Sequence, residues 1–162
     1  MKYLTLIFII ALSACYSKEP EKTSKQGQPL PDFAILLSDS TSILRTKDIA
    51  VGKPSVIFIF GPHCPYSRAQ MQNLVDNAKE MKDFEVVAIT PYPFGQMKDF
   101  YKSYNIQNYP NIKMGVDPNN FFGTYIEAKA VPYIAIYDKN KKLSKAYLGI
   151  TSFKEIKKSA LN

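Results

Sequence analysis

Two cysteines, one histidine and no tryptophan narrow the reactive chemistry open to this chain to one short segment, His63-Cys64-Pro65-Tyr66-Ser67. The nucleophilic form of cysteine is the thiolate. A cysteine at a helix N-terminus faces unpaired N–H groups and the positive end of the helix dipole, which lowers its pKa. Cys64 is placed for this, because an apolar run ends just before it, Gly61-Pro62 breaks that run, and helical spacing begins just after it. Pro65 suits the first turn of such a helix, where its missing N–H would have had no partner. The other reading of Cys64 is a small buried hydrophobe, and the polar and turn-forming neighbours Pro62, His63, Pro65 and Ser67 argue against it. Ser67 stands one helical turn on and can donate a hydrogen bond to the sulfur, but its hydroxyl does not attack a disulfide at neutral pH. A mixed disulfide on Cys64 therefore needs an outside thiol, or rearrangement within the substrate, for its release. His63 can donate to the thiolate, serve as a base, or be an ordinary loop histidine. Neighbouring Cys and His rarely chelate one ion and there is no second histidine, so no metal and no other cofactor is expected.

The elements that would position this segment follow from the apolar pattern. Ser55 to Phe60 is a continuous β-branched and aromatic run, the signature of a strand covered on both faces. After Pro65, residues Met71, Leu74, Val75, Ala78 and Met81 recur at helical spacing. Phe84 to Thr90 reads as a second buried strand and Met97, Phe100, Tyr101 and Tyr104 as another helical face, giving β-α-β-α. Asn111 to Gly115 is a short strand candidate, and Phe121, Phe122, Tyr125 and Ile126 keep helical spacing. Tyr133 to Tyr137, the turn at Asp138 to Lys141, and Leu143 to Leu148 predict a β-hairpin. Ser152 and Glu155 form the pattern of a capping box ahead of a last helix. Upstream, Pro31 to Leu36 and Ile43-Leu44 predict a further, N-terminal hairpin.

The chain has 162 residues, 46% of them hydrophobic, which suits one globular domain and leaves no room for two. Its 21 Lys and Arg against 14 Asp and Glu give a net charge of +7, which permits anionic contacts without arguing for them. Met1 to Cys15 holds a lysine, the apolar run Leu4 to Leu12 and small residues, the form of a secretory signal. That run is far short of the roughly twenty residues a membrane span needs. Leu12-Ser13-Ala14-Cys15 resembles the bacterial lipobox, which implies cleavage before Cys15 and acylation of that cysteine. The expected organisation is a signal peptide over 1–14, a lipidated cysteine and disordered tether over 15–29, and a folded domain over 30–162. The polar tether would reach roughly 50 Å when extended. Two or more acyl chains would anchor the protein stably to a membrane. The expected location is therefore the bacterial cell envelope, outside the cytoplasm; no acid beside Cys15 resembles an inner-membrane retention signal, which favours the outer membrane, facing the periplasm. Nucleic acid is not an expected partner there.

A buried strand ending in a turn, a cysteine at that turn, a helix starting at once, and an X-Pro before a later hairpin together resemble the thioredoxin fold over residues 30 to 160. The branch most similar is the TlpA-like and AhpC/TSA-type redoxin group, through Pro31-Asp32-Phe33, Gly52-Lys53-Pro54 and Val131-Pro132. The resemblance implies an α/β fold with a central mixed sheet flanked by helices and an N-terminal β-hairpin extension. It also implies that Pro132 is cis and packs opposite Cys64, and that the backbone of Val131 pairs with a substrate chain, with Pro65 and Tyr66 beside it. A trans proline at an ordinary strand start is the alternative. Cys64-Pro65-Tyr66-Ser67 is similar to the Cys-Pro-Tyr-Cys of dithiol glutaredoxins with serine in place of the second cysteine. Two departures stand out: His63 replaces the tryptophan usual before the nucleophile, and Phe58 replaces the buried acid of thioredoxins. The leading expectation is monothiol thiol-disulfide exchange through Cys64, acting on protein or low-molecular-weight thiols and disulfides with an external thiol reductant. A catalytically degenerate binding or scaffold lipoprotein is the alternative. A one-cysteine peroxidase is disfavoured, because Ile57 and Gly61 stand where the peroxiredoxin motif has Pro and Thr or Ser.

Overall fold

The computed structural model describes residues 18–162, so Cys15 and the apolar run before it lie outside the described residues. Among the described residues the strands are β1 (Ala34–Leu37), β2 (Ile43–Arg45), β3 (Ser55–Ile59), β4 (Glu85–Thr90), β5 (Ile112–Val116), β6 (Tyr133–Tyr137) and β7 (Leu143–Leu148). The helices are α1 (Pro65–Asp76), α2 (Phe94–Ser103), α3 (Phe121–Tyr125) and α4 (Phe153–Leu161). The strands form one mixed sheet in the order β2-β1-β5-β4-β3-β6-β7. β3, β4 and β5 run parallel, while β6 and β7 on one side and β1 and β2 on the other are antiparallel. This is the mixed α/β, thioredoxin-like architecture, and the N-terminal hairpin extends its sheet through the pairing of β1 with β5.

Every residue of β3 and β6 is buried, as their unbroken apolar runs require. Alternation along the strands divides the core. Val56 and Phe58 point to one face with Met71 and Leu74 of α1, Phe100 of α2 and Ile156 of α4. Ile57 and Ile59 point to the other with Phe33, Phe122 of α3 and Tyr137. Phe33, the aromatic of Pro31-Asp32-Phe33, lies 5.4 Å from the Phe122 ring in a stacked arrangement, which gives that short motif a packing role. Gly115 of β5 is needed for close approach, because a Cβ there would run into the backbone carbonyl of Leu36.

Three local expectations are revised. α1 stops at Asp76, and Ala78 and Met81 stay buried from a 3₁₀ turn beyond it. Asn77 ends the helix by donating its side-chain amide to Asn73 O at 2.8 Å. Only half of the expected capping box forms: Ser152 Oγ accepts from the Glu155 N–H at 3.2 Å, while Glu155 Oε1 accepts from the Tyr147 hydroxyl at 3.1 Å. Tyr147 is fully buried, and its hydroxyl takes the carboxylate because a buried donor needs a partner.

The third revision concerns the tether. Residues 18–29 do not hang free; they lie along β7, the outer strand of the sheet. The Glu21 N–H donates to Ala146 O at 2.7 Å, the Gly27 N–H to Leu143 O at 2.9 Å, and the Leu143 N–H to Gln28 O at 2.9 Å. A bridge between Pro29 and Lys142 continues the contact. The segment lacks the apolar side chains to join the core, but an edge strand offers unpaired backbone groups that a polar segment can satisfy.

Candidate functional site

The site is built where β3 ends. The Phe60 N–H is still tied to Ile89 O at 3.0 Å, and the chain then turns as the Cys64 N–H donates to Gly61 O at 3.0 Å. Cys64 is the extended residue that caps α1, with φ −74° and ψ 119°, and Pro65 takes the first position of the helix. The sulfur is therefore partly exposed at the N-terminus of a helix of three turns, among unpaired N–H groups. Its Sγ lies 3.5 Å from Val131 O, and the Val131–Pro132 peptide bond is cis, as the resemblance implied. Gly61 keeps these pieces together: a Cβ there would stand 3.2 Å from Val131 Cγ2 and 3.3 Å from Cys64 Cβ.

Burial pushes the Cys64 thiol up, but the Ser67 N–H, the Ser67 hydroxyl and the Tyr66 N–H stabilise the thiolate and together hold its pKa below the ordinary thiol value. Ser67 is fully buried and also accepts from the Gly61 N–H at 3.2 Å, so one hydroxyl supports both the Cys64 sulfur and the turn before it. Among the described residues Cys64 is the sole cysteine, and no second sulfur stands one turn along α1. Phe58, where a buried acid was noted as missing, is fully enclosed in the core with its ring 5.7 Å from that of Phe60. No carboxylate can take up the thioredoxin position behind the sulfur.

The structure brings Ser67, Val131 and Pro132 to Cys64. His63 is exposed, and its Nε2 pairs with Gln96 Oε1 of α2 at 3.1 Å. Of the three roles expected for His63, donor to the thiolate, base or ordinary loop histidine, the contact with α2 fits the last. Pro65 starts the helix, and the groove beside the sulfur is formed by other residues. That groove, about 350 Å³, is lined by Tyr66, Val131, Pro132, Leu148, Gly149 and Ile150, with Ala130 at its rim. Leu148 to Ile150, the connection from β7 to α4, were not legible as site residues. The only available signal was an isoleucine directly after a glycine, just before a helix-capping serine. Arg68 was missed as well; it donates to Pro62 O at 3.1 Å and braces the turn before Cys64.

With this geometry in place, the relatives can be compared. The AhpC/TSA family matches residues 26–155. The chain belongs to the AhpC/TSA family. A comparison with curated proteins returns no match. Among solved structures, the exposed lipoprotein thioredoxin of Streptococcus pneumoniae is 23% identical with a TM-score of 0.66, over 80% of this chain and 97% of that one. A secreted disulfide oxidoreductase of Mycobacterium tuberculosis is 18% identical with a TM-score of 0.63, over 78% of this chain and 91% of that one. DsbF of the same species is 16% identical with a TM-score of 0.68, over 78% and 91%. At these identities the likeness establishes the shared thioredoxin-like fold. Within this AhpC/TSA member, Gly61 leaves no hydroxyl at the position where the peroxiredoxin motif would supply one.

Proposed function

We propose that this protein carries out monothiol thiol-disulfide exchange through Cys64. The observation that carries the reading is a partly exposed cysteine capping α1, its pKa held down by Ser67 and Tyr66, with a serine where a resolving cysteine would stand. The Cys64 thiolate attacks one sulfur of a substrate disulfide. A new S–S bond joins Cys64 to that sulfur, the substrate S–S bond breaks, and the other sulfur leaves as a thiolate that takes a proton from water. The mixed disulfide is resolved by an external thiol or by the substrate's own departing thiolate, since Ser67 cannot attack. Val131 holds the substrate backbone: among the described residues no backbone group bonds its N–H or its carbonyl, and the carbonyl oxygen lies 3.5 Å from the sulfur.

The same reading places the protein in the cell envelope, with Cys15 acylated and the membrane as a partner through that anchor, the outer membrane favoured. Similarity to a lipoprotein thioredoxin and to a secreted oxidoreductase supports an extracytoplasmic site. The sequence supplies the lipobox-like Leu12-Ser13-Ala14-Cys15.

The test is the pH dependence of Cys64 alkylation, followed by intact mass after exposure to an excess of a small disulfide. The expected result is an apparent pKa below the free-thiol value and one adduct, released by free thiol and absent from Cys64→Ser, which loses all exchange while retaining its melting temperature. An unactivated thiol that forms no adduct would move the protein to the binding or scaffold reading.

A further inference from the structure

The contacts of residues 18–29 step along β7 in reverse order. Pro29 bridges Lys142, the Gly27 N–H reaches Leu143 O, and the Glu21 N–H reaches Ala146 O. Lys18 completes the series by donating to the carbonyls of Leu148 and Ile150, at 2.9 Å to the latter. The segment is therefore a strap antiparallel to β7, and it carries the chain about 20 Å from one end of the sheet to the other.

The end where the strap begins is the end that holds Cys64. Leu148 and Ile150, whose carbonyls Lys18 grips, line the same groove as Val131, and Val131 O is 3.5 Å from the sulfur. The grip is on a fixed part of the chain, because the buried Gln70 of α1 accepts from the Thr151 N–H at 2.7 Å. The rim here exposes Tyr66 at 63%, Ile150 at 45% and Tyr92 at 42%. Tyr92 borders the turn before Cys64, 3.7 Å from where a Gly61 Cβ would stand. Tyrosine is enriched where proteins meet the headgroup layer of a bilayer.

We infer that the strap turns the Cys64 end of the molecule toward the membrane that anchors it, with Tyr66, Tyr92 and Ile150 facing the lipid headgroups. The inference rests on the acylation of Cys15 proposed above and adds an orientation to it. Three peptide steps separate Cys15 from Lys18, which limits their separation to about 10 Å. A free tether would let the domain stand off by roughly 50 Å and tumble. The docked strap leaves only the short link, and that link departs from beside the nucleophile. Disulfides held at the same membrane surface are then the ones nearest to Cys64.

The test uses the acylated full chain in phosphatidylcholine vesicles whose outer leaflet carries an acceptor dye on phosphatidylethanolamine. With Cys15 acylated, a donor dye goes to Cys64 alone, or, in a second protein, to Asn140→Cys in a Cys64→Ser chain, at the opposite end of the sheet. Energy transfer to the headgroups should be severalfold stronger from position 64 than from position 140. Lys18→Ala with Glu21→Pro frees the strap as far as Gly27, which gives the anchor a reach of roughly 40 Å, and should bring the two positions level. Without dye, the double variant should also react severalfold more slowly than wild type with a disulfide borne on a lipid headgroup. Equal or reversed transfer in the wild type, a gap that survives in the double variant, or equal reaction rates would overturn the orientation and leave the anchor intact. A chain that carries no acyl mass on Cys15 and stays off the vesicles would overturn the anchor reading itself.

Discussion

The two ends of β3 carry polar groups of opposite fate. At its start, Lys141 is 9% exposed and its ammonium donates to Lys53 O at 2.9 Å and to Ser55 Oγ at 2.6 Å. Ser55 donates on to Glu85 Oε1 at 3.4 Å, and Glu85 pairs with Lys113 at 3.1 Å. Burial lowers the Lys141 pKa, Glu85 raises it, Lys113 lowers it and Asp138 raises it, with the net direction downward. Five strand-end and loop residues thus satisfy one another. At the far end Cys64 also has its partners, yet its sulfur meets solvent and the backbone opposite it is open. Both ends use hydroxyls to steady a charge, and only the second leaves a reactive atom accessible. A charged cluster that satisfies itself holds the fold, whereas one left incomplete on a groove is available for chemistry.

That contrast can be broken first at the closed end. Lys141→Met leaves Lys53 O and Ser55 Oγ without their donor and should cost about 1–3 kcal/mol of stability. Urea denaturation would show it as a lower midpoint, and the rate of Cys64 alkylation should not change; a slower alkylation would mean that the two ends are coupled.

A smaller effect is expected at the open end. Ser67→Ala removes a donor to the thiolate, which disfavours the charged form, so the Cys64 pKa rises and less thiolate is present at neutral pH. Alkylation at pH 7 should slow severalfold, and its pH profile should move to higher pH, with the limiting rate at high pH retained. The Gly61 N–H also loses its acceptor, so a stability loss of about 1 kcal/mol should accompany the shift. The least effect is expected from His63→Ala, since the ring pairs with Gln96 and not with the sulfur. An unchanged pH profile for Cys64 reactivity would confirm its role as a surface contact, and a displaced profile would return it to the site.

Much of the fold was legible because the strongest sequence signals are local. The run from Ser55 to Phe60 could only be a doubly covered strand, and Cys64-Pro65 could only open a helix after Gly61-Pro62. The short motifs were legible as markers before their purposes were. Gly52 takes φ +90°, and Lys53 lends its carbonyl to Lys141, a residue far away in sequence. The docking of residues 18–29 was not legible, since composition reports what a segment cannot bury and says nothing about which strand edge is left unpaired. Ile150 and Gln70 escaped notice for a related reason: neither carries reactive chemistry, and each matters through one distant neighbour.

What the amino-acid sequence determined by itself is the position of the candidate nucleophile Cys64 before a helix, the serine rather than cysteine one turn on, and the order of the elements. These follow from residue type and near-neighbour spacing. The tertiary structure alone decided that Val131 faces the sulfur, that His63 pairs with Gln96, and that Tyr66 and Ile150 share one groove. Those facts depend on how β3, β6 and the β7–α4 connection are brought side by side. Side-chain direction at a turn and contact across a sheet are set by long-range packing, which no local pattern encodes.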